Sequence, residues 1–280
     1  MSSPHLRVSI VIPAYNEEFH LRSCLQAIAD QTVQPHEVIV VDNNSTDHTA
    51  EVAAFYPFVK VVREMRQGRV FARDAGFDTV TGDIIGRIDA DTTLPVHWIA
   101  YVQQFYANPA NHSKAWSGAG YFYNVRLPRL VSFAYGLLAF RLNKLLLGHY
   151  TLWGSNMAFT KIQWQAVRAD VCDRLDIHED LDLAIHLHRK GFDLVYDVTI
   201  KTNAELRRVH SDRHQLWEYL QWWPRTLRIH GNRLWVICWF CGAFSLYWAT
   251  LILLLADRLA GGSKNSRTEV QRSKSLEADI

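Results

Sequence analysis

Only four cysteines occur in 280 residues, Cys24, Cys172, Cys238 and Cys241, too few and too scattered for a disulfide framework. That scarcity fits a reducing compartment. Cys238 and Cys241 have the spacing of a metal or redox pair, but they sit inside an apolar run with no second ligand pair nearby, which argues against either use. Excess charge is also missing. Thirty Lys and Arg against 28 Asp and Glu leave a net charge of +2, so no basic field points to a nucleic-acid partner. Met1 to Leu6 has no apolar signal-peptide core, which predicts that the bulk of the chain stays on the cytoplasmic side. No Gly-x-Gly-x-x-Gly follows the first apolar run, Val8 to Ile12, and this excludes the common dinucleotide fingerprint.

What is present is an alternation. Val8 to Ile12 is a β-branched run stopped by Pro13, and Asn16 is expected to cap a helix with Glu17 and Glu18 in its first turn. Leu21, Cys24, Leu25 and Ile28 follow at helical spacing. Strands are expected at Glu37 to Val41, Val59 to Val62 and Asp83 to Ile88, with helices from the loop Asn43–Asp47 to about Phe55 and from Gln67 to Thr79. A further helix is expected over Trp98 to Tyr106 and a strand near Ala115 to Tyr123. Strands alternating with helices predict an α/β fold with a mostly parallel central sheet flanked by helices. Ligands of such sheets gather beyond the carboxyl ends of the strands, where Pro13–Glu17, Asp42–Asp47 and Asp89–Asp91 all fall.

Asp89-Ala90-Asp91 is the most telling of these. Two carboxylates one residue apart at the end of a buried strand repel each other unless a cation lies between them. A hard divalent metal carrying a diphosphate is the usual such partner, because Mg²⁺ takes one or two carboxylates plus phosphate oxygens.

The second half changes character. Arg126 to His149 mixes aliphatic and aromatic residues with Arg126, Arg129, Arg141 and Lys144, around an apolar core, Val131 to Phe140, of about ten residues, too short to span a bilayer. An amphipathic helix lying at a membrane interface and an ordinary helix covering the sheet both fit. Leu234 to Ala256 is about 23 residues without charge, roughly 34 Å as a helix, enough to cross a hydrocarbon core of ~30 Å. The tail from 257 to 280 is polar and expected to be disordered. The expected organisation is one domain over 1–233, with its nucleotide-binding half at about 7–95, its acceptor half at about 96–210 and juxtamembrane helices at about 126–148 and 211–233, followed by a membrane helix over 234–256.

Val8-Ser9-Ile10-Val11-Ile12-Pro13-Ala14-Tyr15-Asn16-Glu17, Val41-Asp42-Asn43-Asn44-Ser45-Thr46-Asp47 and Asp89-Ala90-Asp91, in this order, resemble glycosyltransferase family 2. The likeness covers about residues 7 to 230. It implies the GT-A nucleotide-diphospho-sugar transferase fold, a nucleotide-sugar donor, Mg²⁺ or Mn²⁺ as cofactor, and inverting glycosyl transfer. By the same resemblance Pro13, Ala14, Tyr15 and Glu17 line the nucleoside pocket, Glu17 accepts from ribose hydroxyls, and Asp42, with Asn44 beside it, takes the base. Asp91 is the better candidate for direct metal ligation, with Asp89 and Ala90 nearer the donor sugar or ribose. Arg69 and Arg73 lie one helical turn apart after Gly68, so both are expected to aim at the diphosphate. Asp74 stands where the family often has Asn.

On the acceptor side, Gly154-Ser155-Asn156 resembles the family's small-residue loop beneath the donor sugar, and His178-Glu179-Asp180-Leu181-Asp182 resembles its Glu-Asp motif. Inverting transfer to a hydroxyl needs a carboxylate to take the proton as the hydroxyl attacks. Asp180 is the candidate, with Glu179 orienting acceptor or base. His210 is a candidate third metal ligand. Gln221-Trp222-Trp223-Pro224-Arg225 only approximates the Gln-x-x-Arg-Trp of processive members, which argues for transfer of single sugars. The expected acceptor is a membrane lipid or lipid-linked glycan, either through a hydroxyl or, alternatively, through a polyprenyl phosphate. Sugar nucleotidyl transfer fits less well, because the basic, glycine-rich triphosphate loop is absent after the first strand, and a non-catalytic binding scaffold fits less well because Asp42, Asp89, Asp91 and Asp180 are all retained.

Overall fold

The computed structural model describes residues 6–125, 127–205 and 213–231. The chain divides into two compact units, Met1–Leu206 and Arg207–Ile280. The first is built on a seven-stranded sheet in the order β3-β2-β1-β4-β6-β5-β7. Its strands are β1 (Val8–Ala14), β2 (Glu37–Asp42), β3 (Val59–Arg63), β4 (Ile84–Arg87), β5 (Lys114–Phe122), β6 (Met157–Thr160) and β7 (Asp193–Ala204). β3, β2, β1 and β4 pair in parallel; β6 runs antiparallel between β4 and β5, and β7 closes the far edge parallel to β5.

The helices lie on both faces, which is why the central strands read as continuous apolar runs rather than alternating ones. Val8, Ile10 and Ile12 of β1 face α1 (Leu21–Ala29), α2 (Thr49–Ala54) and α4 (Trp98–Ala107). Val11 points the other way, with Ile39, Val41 and Ile85, towards α3 (Arg69–Thr79), α7 (Lys161–Val167) and α8 (Glu179–Arg189). Each fully buried Leu or Ile in these layers contributes roughly 1.5–3 kcal/mol over its exposed state. Gly86 is required inside β4, because a Cβ there would lie 2.6 Å from the buried Trp98 ring.

The expected strands and helices of the first hundred residues are all present, with one difference. No helix starts at Asn16: α1 begins at Leu21. Asn16 adopts a left-handed conformation, φ 55°, and its Oδ1 accepts from the Thr46 N–H at 2.9 Å, tying the loop after β1 to the loop after β2. Asn tolerates that conformation, and its short amide bonds better across the loops than along them.

Within the stretch expected to be helical, Pro128–Leu147 forms a run of three pieces: α5 (Pro128–Tyr135), a π-helical stretch (Gly136–Leu142) and α6 (Asn143–Leu147). Together Pro128–Leu147 gives 20 residues, long and apolar enough to cross a membrane by length and composition, and only 18% buried. One face is anchored, with Phe140 stacked 4.0 Å from the Tyr196 ring. Leu130, Phe133 and Leu137, at i, i+3 and i+7, are exposed on the other. In the second unit the described element is α9 (Arg213–Ile229), a helix with Pro224 inside it. The expected membrane helix over 234–256, the tail over 257–280, and His210 lie outside the described residues.

Candidate active site

The strand order reverses at β1: β2 and β3 extend to one side, and β4 lies on the other. Open sheets of this kind bind ligands in the crevice at such a reversal, outside the carboxyl ends of the strands. The ends of β1 and β4 deliver Pro13–Glu17 and Asp89–Asp91 to that crevice, and the end of β2 delivers Asp42 beside them. The Glu17 amide donates to Thr49 Oγ1 at 2.7 Å, its carboxylate pairs with His20 at 3.0 Å, and Tyr15 is 48% exposed over the same loop. Asp42 is buried, accepts from the Ser45 N–H at 3.1 Å, and lines a cavity of about 160 Å³ together with Asn44, Arg63 and Met65. Asn44, like Asn16, is left-handed, at φ 62°.

The other wall comes from residues about ninety positions later. α8 starts at Glu179, so Glu179, Asp180 and Asp182 occupy its first turn, where the helix dipole favours negative charge. Between this turn and Asp89 lies Arg87, the last residue of β4, with a side chain 5% exposed. Its Nη1 donates to Asp180 Oδ1 at 2.6 Å, its Nη2 donates to Asp89 Oδ1 at 2.9 Å, and Glu179 Oε1 lies 3.7 Å from Nη2. The loop before β6 completes the contacts: the Gly154 N–H donates to Asp180 Oδ2 at 2.8 Å, and the Ser155 hydroxyl donates to Asp89 Oδ2. Asn156, fully buried, accepts from the Trp98 indole at 2.8 Å and so fixes the loop from below.

This packing sets the protonation of the acids. Burial pushes the Asp180 carboxyl up to about 6, against the downward pull of Arg87. Burial acts upward on Glu179 too, but Arg69, His178 and Arg87 together hold it far below the usual carboxylate range. Two adjacent acids therefore differ in basicity, and Asp180 is the one suited to taking a proton.

The glycosyl transferase family 2 model matches residues 9–161, just over half of the chain. The chain belongs to that family. Undecaprenyl-phosphate 4-deoxy-4-formamido-L-arabinose transferase of Serratia proteamaculans is 38% identical over 101 residues, 33% of this chain and 31% of that protein. Glycosyltransferase AglE of Haloferax volcanii is 34% identical over 99 residues, 33% of each chain. The matched part thus spans about a third of these curated relatives. Among solved structures, the mannosyltransferase PcManGT from Pyrobaculum calidifontis, in complex with GDP-Man and Mn²⁺, has a TM-score of 0.59 at 21% identity, covering 98% of this chain and 85% of that one. At that identity the likeness establishes the fold, which is GT-A.

The family match ends before Glu179 and Asp180, so their place rests on the geometry above. That geometry brings together Asp89, Gly154, Ser155, Glu179 and Asp180, with Arg69 beside them through an ion pair of 3.3 Å to Glu179 Oε2. It does not bring Arg73. Arg73 is fully buried, its Nε donates to Asp74 Oδ1 at 2.8 Å, and its Nη1 donates to the Glu179 carbonyl at 2.8 Å. The one-turn spacing holds, but α3 runs under the α8 terminus, so the second arginine is enclosed and supports Glu179 from below rather than meeting a diphosphate. Asp74 is the counter-ion that makes this burial tolerable.

The donor set at Asp89 and Asp91 fits a hard divalent cation, being carboxylate oxygen at a strand end in a partly open position. Asp89 already has both oxygens engaged by Arg87 and Ser155, which favours Asp91 as the ligand proper. Arg87 is the site residue that sequence reading missed. Its signal was there: a lone arginine inside Ile84-Ile85-Gly86-Arg87-Ile88, on the same strand face as Asp89.

Proposed function

We propose that the chain is an inverting, metal-dependent transferase that moves one sugar from a nucleotide-sugar donor to a hydroxyl of a lipid-linked or membrane-proximal glycan. The observation that carries this reading is the meeting of the donor carboxylates after β4 with the Glu179-Asp180 turn of α8 across a single guanidinium. Pro13, Ala14, Tyr15, Glu17, Asp42 and Asn44 are assigned to the nucleoside, Arg69 to the diphosphate, Asp91 and Asp89 with Ala90 to the metal and donor sugar. Gly154, Ser155 and Asn156 form the floor under the sugar. Asp180 takes the acceptor proton and Glu179 orients the acceptor. Mg²⁺ or Mn²⁺, when bound, would offset charge on the departing diphosphate as a Lewis acid. The solved neighbour PcManGT, in complex with GDP-Man and Mn²⁺, supports both the donor class and the metal.

A panel of UDP-, GDP- and TDP-sugars given to the detergent-purified chain tests the reading. One donor is expected to release nucleoside diphosphate slowly, and a chelator is expected to stop it. Release from none, with membrane extract supplied as acceptor, would sink the transferase assignment.

A second reading has its own support. Both Asp180 oxygens are already hydrogen-bonded, and a polyprenyl-phosphate acceptor, being an anion already, needs no strong base. The Serratia relative is named for an undecaprenyl-phosphate acceptor.

The membrane enters through two segments. Residues 234–256 are read as a spanning or inserted helix, with the catalytic domain over 1–233 on the cytoplasmic side and 257–280 as a polar tail. The exposed Leu130, Phe133 and Leu137, flanked by the exposed Arg129 and Arg141, suit an interfacial helix facing anionic lipid. A polarity-sensitive fluorophore placed at position 133 in anionic liposomes is expected to shift to the blue and to be quenched by nitroxide lipids. A label at the exposed Phe55, the residue that follows α2, serves as the solvent reference. Equal quenching at both positions would remove this helix from the membrane.

A further inference from the structure

We infer that Arg87 is a positioning residue that fixes the donor carboxylate Asp89 and the candidate base Asp180 in one rigid frame. The inference rests on the transferase reading above and adds to it the part that joins its two halves.

The geometry is a closed ring. Arg87 Nη2 donates to Asp89 Oδ1 at 2.9 Å and Nη1 donates to Asp180 Oδ1 at 2.6 Å. The second oxygens of the same two carboxylates are bonded by consecutive residues of one loop, Ser155 through its hydroxyl and Gly154 through its N–H. Starting from Arg87, the path runs through Asp180, Gly154, Ser155 and Asp89 and returns to Arg87. Every carboxylate oxygen in it has a donor. Gly154 is the tightest point, since a Cβ there would lie 1.3 Å from Arg87 Nη1. Only glycine lets the guanidinium reach.

A purely structural role explains this poorly. An arginine buried at the end of a central strand pays a desolvation cost that a well-packed apolar residue would avoid. Here the cost is increased, because the Nε–H of Arg87 has no acceptor among the described residues. What the arginine gains is a fork. Its planar guanidinium bonds two carboxylates in different directions at once, which the point charge of a lysine does not. The two carboxylates are those assigned to opposite halves of the reaction, one to the donor and one to the acceptor proton. Fixing their separation fixes where an acceptor oxygen waits relative to the sugar, and misplacement by about 1 Å can cost on the order of 100-fold in rate.

The test uses the full chain in detergent, with turnover, donor KM and thermal melting read on Arg87→Lys, Gly154→Ala, their combination, Arg87→Met and Arg87→Met/Asp180→Asn. Arg87→Lys keeps the charge but not the fork, so kcat is expected to fall roughly 100-fold while donor KM stays within about threefold. Gly154→Ala, which displaces the guanidinium from the other side, is expected to lose a similar amount. The combination is expected to lose no more than either alone, because both break one ring. Arg87→Met is expected to lower the melting temperature by leaving acids buried without a counter-ion, and adding Asp180→Asn to recover part of it. If Arg87→Met does not fold, the lysine and alanine variants decide. A wild-type kcat in Arg87→Lys, a loss confined to donor KM, or additive losses would overturn the inference. A wild type that melts normally but transfers no sugar would instead overturn the transferase reading, and would reduce Arg87 to a structural clasp.

Discussion

Asp91→Asn is expected to lower metal-dependent nucleoside diphosphate release by roughly 1000-fold, with the residual rate no longer responding to added Mn²⁺ or Mg²⁺. A divalent cation supplies several kcal/mol of charge stabilisation to a departing diphosphate, and each 1.36 kcal/mol is tenfold in rate. Asp91 is the carboxylate of the pair left outside the Arg87 ring, so its loss removes the ligand without opening the frame. Asp89→Asn should behave differently. It weakens the bonds to Arg87 and Ser155, so its effect is expected mainly on kcat, with the metal concentration for half-maximal rate close to wild type. The measurement is a metal titration of turnover in each variant. A shifted metal midpoint in Asp89→Asn, with none in Asp91→Asn, would exchange the two roles.

The nucleotide side of the site was legible in the sequence because it is local. β1, β2 and β4 each carry a polar motif at the carboxyl end, and short continuous apolar runs alternating with helical patterns place those ends in one crevice without knowledge of any long-range contact. Helix α1 was read with its start four or five residues early, because Asn16 bonds across to Thr46 instead of along its own chain, a choice made by the neighbouring loop. Arg73 was misplaced for a similar reason. Helical periodicity shows that Arg69 and Arg73 share a face, but which of them is covered depends on α8, which begins more than a hundred residues later. Arg87 escaped because the strand reads as buried from its apolar residues alone, and only the closed contact with Gly154 and Asp180 shows what its arginine meets. The acceptor half depends most on such remote contacts, so Gly154, Ser155, Glu179 and Asp180 were legible only through their resemblance to family motifs and not through periodicity. Glu179 and Asp180 sit outside the family match and reach the site only because β6 and α8 return to the β4 end.

Asp180→Asn separates the two acceptor chemistries and should give the sharpest contrast. With a hydroxyl acceptor, transfer is expected to fall by roughly 100- to 10,000-fold, because the amide cannot take the proton. With a polyprenyl phosphate, the attacking oxygen is already an anion and the variant should keep its rate within a few-fold. The pH profile gives an independent reading of the same residue. The Asp180 carboxyl is pushed up to about 6 by burial, against Arg87, and only its ionised form is a base. Hydroxyl transfer by wild type should therefore be flat above about pH 7 and fall about tenfold for each unit below 6, and the asparagine variant should lose that limb along with most of its rate. A structural loss has to be set apart from a chemical one. Asn offers one oxygen and one NH₂ where Asp180 offers two oxygens, so either Arg87 Nη1 or the Gly154 N–H ends up facing a donor. Asp180→Glu keeps both acceptors and the charge while moving them by one methylene, so it should melt near wild type and yet turn over slowly if placement of the base limits the reaction. Retained activity in both variants, with no acid limb in wild type, would take the base away from Asp180 and leave the phosphate acceptor as the reading to pursue.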